Sequence, residues 1–445
     1  MAAEGRLLSL VNRATQSEIL VDVRFDEERQ CRGLFTTRDC AEGDALLCVP
    51  WQYTLTVQSA VRRLTHLERQ KQPLTQLSVA ELLQLCTAGD SLALVPRGAG
   101  WSLLLALQLL AELRDKRSPH APYVATLPVP ACSALSALNA SAPQAGTHLS
   151  LSTPAQLECL DCPALVRAVL VERERLRHLH ELLFGSESSV SFTSFAWANA
   201  LVASRAVGLC IDADSPSMRC LLPAIDLVNH SDRREATASL RLRAANADVT
   251  EPAAVELFAA RDLHAGTAVV FDYGAHQLRE WAWAYGFVPP AKYAHVEETF
   301  ETFSLSGCTA REQMHITAAG SAALRLQSVN FTSNCCISYE VSCSDLLTAT
   351  QCKWEDVDGC LHSVPLSAGT EARLSKLLGD HALAIAEQMK SQEAHLNMCA
   401  CVADAAAADE GLSPIAHLAS AFRSARRRLL LHAGDGLLAH ATLLR

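Results

Sequence analysis

The sequence predicts an α+β fold, and three observations predict it. Strand-like segments occupy residues 19–57 and 210–274. About 150 residues with helical spacing separate them. After residue 290 the strand-and-turn pattern stops, and long helices are predicted at 309–327, 368–395 and 414–443. The expected organisation is a small β-domain over 18–290 with a helical insertion over about 58–200, then a mostly helical C-terminal domain over 291–445.

The first strands read as ILVDVRF, RGLFTTRDC and ALLCVP, with a turn at Gly43–Asp44 and a further strand YTLTV. Residues 78–88 and 101–116 carry apolar side chains at helical spacing. Residues 117–154 are rich in Pro, Ser and Ala and read as loop or short helix. Residues 155–184 form the clearest helix. Leu165, Val166, Val169, Leu170, Leu176, Leu179 and Leu183 fall on one side, and Glu172, Arg173, Glu174, Arg175 and Arg177 make a solvated face. Residues 191–207 read as another helix with Ser or Thr available to cap it. Strands return at 218–228, 236–243, 254–261 and 268–272, and residues 276–287 read as helix up to the Pro289–Pro290 break.

At 445 residues the chain has the length of two or three domains. Hydrophobic residues are 49%, enough for a large core, and charged residues are 19%, too few for a mainly disordered protein. The net charge of −10 argues against a nucleic-acid partner. Seventeen cysteines, an odd number without staple-like spacing, read as reduced thiols and place the protein in the cytoplasm, the nucleus or both. The single C-x-x-C, Cys159 to Cys162, reads as a pair of helix-core thiols rather than a zinc site. No signal-peptide pattern opens the chain, and the apolar run Trp101–Ala111 is too short to span a bilayer, so no membrane is expected. The cluster Arg423–Arg428, RSARRR, reads as a solvated helix face, with a nuclear address or docking patch as the other reading.

Two stretches carry candidate chemistry. MRCLLPAIDLVNHS, residues 218–231, is an apolar run ending in Asp226, Asn229, His230 and Ser231. AVVFDYG, residues 268–274, is an apolar run ending in Tyr273 at a turn. Such runs read as buried strands delivering polar groups to a site at their ends. The residues also have plainer readings: Asn229 and His230 as a polar turn, Tyr273 as a strand-end ring, Arg205 with Asp226 as a structural ion pair, and Tyr285 as core.

Taken in order, these segments resemble the SET-domain protein methyltransferases of the Rubisco large-subunit lysine methyltransferase type. CRGLFTTRDCAEGDALLCVP resembles the first SET motif, and SPHAPYVATLP with the helix 155–184 resembles the helical insertion. FAWANALVASRAVG resembles the helix that ends in Ser-Arg. LLPAIDLVNHS resembles the Asp-x-x-Asn-His-Ser motif, FDYG with YGFVPP the closing tyrosine motif, and the tail the substrate-binding helical domain.

The resemblance implies small β-sheets closed by a pseudoknot-like crossing, S-adenosyl-L-methionine as cofactor and a protein substrate; methyl transfer itself needs no metal, and a monomer is expected. It implies Tyr273 as the catalytic tyrosine. Gln30, Cys31, Arg32 and Gly33 would form the turn that wraps the cofactor, joined by Arg205, Asn229, His230 and Tyr273. Arg205, Asp226 and Tyr285 would line the target-residue pocket. The chain departs from the family in carrying Cys31 where glycine is usual and Leu278 where Asn is frequent, with Trp281 and Trp283 in place of smaller aliphatics. The function implied is protein-lysine N-methylation; protein-histidine N-methylation and a non-catalytic binding protein on a SET scaffold stand as alternatives.

Overall fold

The computed structural model describes residues 2–15, 18–27, 29, 31–87, 94–96, 98–128, 148–185, 190–210, 217–244, 252–274, 276 and 278–289, and beyond these parts of 300–342 and 372–396 and residues 414–443. The chain divides into one unit of residues 1–157, 162–274 and 282–293, and a second of residues 158–161, 275–281 and 294–445.

The first unit opens with helix α1 (Ala2–Thr15), which buries Leu7 and Val11 one turn apart. Strands β1 (Val21–Asp26), β2 (Cys31–Thr36), β3 (Ala45–Pro50) and β4 (Leu55–Thr56) follow as the sequence predicts. The helical insertion comprises α2 (Val57–Arg69), α3 (Val79–Thr87), α4 (Gly100–Arg114), α5 (Ala121–Val124), α6 (Pro154–Glu158), α7 (Pro163–Phe184) and α8 (Phe192–Arg205). Helix α4 runs through the core, with Leu103 to Leu107 and Leu109 to Ala111 buried along with Gln108 and Glu112. Strands β5 (Val207–Leu209), β6 (Met218–Leu221), β7 (Asn229–His230), β8 (Ala238–Ala244), β9 (Pro252–Ala259) and β10 (Ala268–Phe271) complete the β-structure of this unit.

These strands form three small sheets, ordered β1-β2-β10-β7, β3-β9-β8 and β4-β6-β5. The first sheet positions the site. β10 pairs antiparallel with β2 (Val269 opposite Leu34) and parallel with β7 (Val270 opposite Asn229, Phe271 opposite His230). One strand therefore holds the Asn-His segment and the β1–β2 hairpin side by side. The architecture is α+β, with several small sheets in place of one large one.

Three local expectations are corrected. The strand expected over 218–228 ends at Leu221. Pro223 lacks the N–H a strand needs, and Ala224 adopts φ 67°. A 3-10 turn, Ile225–Leu227, then carries Asp226 into the short β7. The helix expected over 155–184 is broken between α6 and α7, where Asp161 has φ 51° and Pro163 restarts the helix at its first position. Cys159 and Cys162 sit at that break and are buried, and Leu170, expected on the buried face of α7, is 43% exposed.

The third correction lies in the second unit. The helix expected over 309–327 is replaced by strands. β11 (Phe300–Ser304), β12 (His315–Thr317), β13 (Ala323–Thr332) and β14 (Ile337–Ser342) form an antiparallel sheet around β13. Leu324 and Leu326, then Val329 and Phe331, alternate along the chain with a change of parity. The register irregularity between Leu326 and Ser328 accounts for that change, which hid the period-two pattern from a helical reading.

The segment between β10 and β11 contains a short turn of α-helix, α9 (Leu278–Glu280), and a π-helical turn, Trp281–Tyr285. Leu278 and Trp281 are buried. The final helix, Pro414–Leu443, places the basic cluster differently from the solvated face expected of it. Arg423 and Arg426 are 4% and 9% exposed and donate to the carbonyl oxygens of Cys159 and Asp161. The chain bend at 159–161 leaves those carbonyls to be satisfied, and long guanidinium groups reach them. Among the described residues no helix is long and apolar enough to cross a membrane.

Candidate active site

The site grows from the ends of β7 and β10. The Tyr273 hydroxyl donates to the carbonyl of Val228 at 2.7 Å, across 45 residues of chain. Its backbone N–H donates to His230 Nδ1 at 3.3 Å. The rings of His230 and Tyr273 lie 5.3 Å apart, those of Phe271 and Tyr273 5.2 Å, and those of Tyr273 and Tyr285 5.5 Å. Phe287 stands edge-on to Tyr285 at 6.2 Å. The two polar strand ends read from the sequence thus meet, and aromatic rings surround the phenol.

The β1–β2 hairpin closes another side. Cys31, Arg32 and Gly33 lie in strand β2 rather than in the turn expected for them, because the chain is already paired with β1 at Asp26 opposite Cys31. Gln30 lies outside the described residues. Asn229 Nδ2 donates to the Arg32 carbonyl at 3.1 Å, and Cys31 Sγ donates to Asn229 Oδ1 at 3.4 Å. Gly33 leaves the room that the Asn229 amide occupies: a Cβ would stand 2.7 Å from Asn229 Nδ2, and the amide would have to shift. The unusual cysteine is thus a donor that helps fix the Asn229 amide. Burial, then Asp26, push its thiol pKa up against the pull of Arg29, so at neutral pH it keeps the proton it donates.

Arg205, at the end of α8, places Nη1 3.0 Å from both the carbonyl oxygen and Oδ2 of Asp226. Tyr123, from α5, donates its hydroxyl to the same Oδ2 at 3.0 Å. The Asp226 side chain is 1% exposed, and its Oδ1 has no hydrogen-bond partner among the described residues. Burial works against the Arg205 charge, but Asp226, Tyr123 and Tyr273 together raise its pKa. Burial, and then Asp226, hold the Tyr123 phenol well above its ordinary value. Burial likewise pushes Tyr273 up, opposed by Arg205, so both phenols are protonated at neutral pH.

Two residues here were not legible as site residues. Tyr123 falls in the Pro-, Ser- and Ala-rich stretch read as loop or short helix, and four residues of helix give no periodicity to single it out. Arg29 sits in the hairpin turn, where its Nε donates to the His230 carbonyl at 3.2 Å and its Nη1 pairs with Asp26 at 3.0 Å. Its signal was the acidic partner three residues earlier.

The charges are balanced. Arg29 pairs with Asp26, Arg32 with Glu4 and Arg205 with Asp226. Three unpaired guanidinium groups would repel a cationic ligand, and these are paired. Paired arginines, a cluster of rings and a hydroxyl oxygen whose proton is committed elsewhere fit the sulfonium of S-adenosylmethionine. The Asn229 amide packs against Gly33 of β2 in the same cluster.

No family model matches the chain, and no curated protein does. Solved structures do match in fold. The SET domain of LSMT bound to lysine and AdoHcy aligns over 100% of this chain and 92% of its own, at 15% identity and a TM-score of 0.58. Rubisco LSMT bound to AdoMet aligns over 99% and 93%, at 14% identity and 0.56. Rubisco LSMT bound to sinefungin and monomethyllysine aligns over 100% and 93%, at 15% identity and 0.54. The fold of this chain is therefore that of the Rubisco LSMT structures.

Proposed function

We propose that the chain is an S-adenosylmethionine-dependent protein-lysine N-methyltransferase with Tyr273 as its catalytic tyrosine. The observation that carries this reading is the Tyr273 hydroxyl bound to the Val228 carbonyl, one residue before Asn229 and His230, within a cluster of aromatic rings. The likeness in fold to structures holding AdoMet, AdoHcy, lysine and monomethyllysine supports it.

S-adenosylmethionine would supply an electrophilic methyl on a sulfonium. The chain's own groups would do the rest. The Tyr273 proton is spent on Val228, so its oxygen presents lone pairs to a polarised methyl through C–H···O contact. Its raised pKa keeps it a neutral phenol and excludes it as a general base at neutral pH. His230 Nδ1 accepts from the Tyr273 amide, which ties the imidazole to positioning the β10 end. A lysine must arrive as the free amine, against an ordinary pKa of about 10.4. Partly desolvated rings such as Tyr285 and Tyr273 favour the neutral form, and their faces accommodate the alkylammonium product. Asn229, His230, Arg205 and the β2 residues Cys31, Arg32 and Gly33 would form the cofactor wall, and Asp226, Arg205 and Tyr285 the target-residue pocket. Catalysis of this kind rests on alignment, so rigid strand ends are the right place for it.

The test is transfer of a labelled methyl group from S-adenosylmethionine to protein in a cell extract, by wild type and by Tyr273→Phe, followed by mass spectrometry of the labelled peptide. Wild type is expected to label protein on lysine Nε, with Tyr273→Phe slower by on the order of 10²-fold, the scale of a positioned polar group. No labelling by wild type refutes the enzyme assignment. A methyl group on imidazole nitrogen refutes the lysine assignment alone.

A further inference from the structure

We infer that Glu4, on helix α1, is a positioning residue of the cofactor site that acts through Arg32; this rests on the reading of the chain as an S-adenosylmethionine-dependent enzyme. The Glu4 side chain is 3% exposed, in the first turn of α1, where a carboxylate also suits the helix dipole. Leu7 and Val11, each 1% exposed, anchor the same helix in the core, against β3 and α5. The Glu4 carboxylate pairs with Arg32 Nη1, and Arg32 Nη2 donates to the Thr126 carbonyl at 2.9 Å. The guanidinium fork is thus taken at both tips.

The backbone of the same arginine does different work. Its carbonyl accepts from Asn229 Nδ2 at 3.1 Å, beside the 3.4 Å contact of Cys31 with Asn229 Oδ1. A residue clamped through its side chain and in turn holding Asn229 transmits position from one to the other. The Glu4 carboxylate, through Arg32, therefore helps fix where the Asn229 amide stands. Charge adds to the effect. Burial works most against the Arg32 charge, Glu4 opposes that, and the smaller effects of Arg205 and Asp226 run in opposite directions. Without Glu4 the largely buried Arg32 guanidinium loses its carboxylate partner.

The test is titration calorimetry of the full chain with S-adenosylhomocysteine, with thermal unfolding recorded for each variant. Glu4→Gln is expected to weaken binding about tenfold or more, ~1.4 kcal/mol per tenfold. Glu4→Asp, which keeps the charge and shortens the reach, is expected to fall between it and wild type. Val11→Ala removes a buried methyl pair two turns beyond Glu4 and leaves the Glu4–Arg32 pair in place, so it is expected to lower the melting temperature while leaving Kd unchanged. Should Glu4→Gln fail to fold, the ordering of Glu4→Asp against Val11→Ala decides the matter. Wild-type affinity in both Glu4 variants, or an equal loss of affinity in Val11→Ala, overturns the inference and leaves the cofactor reading intact. Absence of binding by wild type overturns the cofactor reading and the inference with it.

Discussion

Gly33→Ala is the sharpest test of how the site is built. The added Cβ would stand 2.7 Å from Asn229 Nδ2, whereas ordinary contact begins at 3.4 Å, so Asn229 must withdraw by about 0.7 Å. The amide is the far end of a side chain and is able to move. Doing so pulls Nδ2 away from the Arg32 carbonyl, now at 3.1 Å, and Oδ1 away from Cys31 Sγ, now at 3.4 Å. One lost hydrogen bond costs about 0.5–1.5 kcal/mol, and overpacking about 1–3 kcal/mol. A loss of about 2 kcal/mol in denaturant-derived stability is therefore expected, with a parallel loss of S-adenosylhomocysteine affinity. Asn229→Ala removes the obstacle. In that background Gly33→Ala is expected to cost well under 1 kcal/mol, so the double-mutant cycle should show a coupling of about 1–2 kcal/mol. Additive effects, with the same cost in both backgrounds, would refute the claim that Gly33 is glycine because Asn229 lies against it.

The remaining expectations concern buried charge. Arg205→Ala leaves the Asp226 carboxylate buried and unpaired and is expected to cost about 3–5 kcal/mol, whereas Tyr123→Phe removes one donor and is expected to cost about 1–3 kcal/mol; equal effects in urea unfolding would contradict that ranking. His120 is buried, and burial followed by Arg63 lowers its pKa to about 4 from 6.5. A depressed folded-state pKa means the unfolded chain binds the extra proton, so this stability is full above pH 6.5 and is lost as pH falls toward 4. The slope of stability against pH in that window should flatten in His120→Asn, and an unchanged slope would remove His120 as its source. Arg423→Ala should lower the stability of the second unit, since its guanidinium serves a buried carbonyl; unfolding identical to wild type would return that arginine to the solvated face.

The sequence by itself determined the period and punctuation of the chain. β1, β2, β3, β8, β9 and β10 were legible because each is a short alternating or apolar run bounded by turns, and α4 and α8 because their apolar spacing is helical. The two candidate stretches were legible as apolar runs that end in polar side chains, although the first leaves its strand after Leu221. Contacts between residues distant in sequence were not legible. Tertiary structure alone decided that Asn229 lies on Gly33, that Cys31 donates to it, and that Tyr123 and Arg205 share one carboxylate oxygen of Asp226. It also decided that Arg423 and Arg426 turn inward, and that 315–317 and 323–332 pair as strands. These depend on which segments β10 brings to its two edges and on where chain bends leave carbonyls to be satisfied. A one-dimensional pattern carries local spacing, whereas hydrogen-bond partners across β10 are set by register in three dimensions.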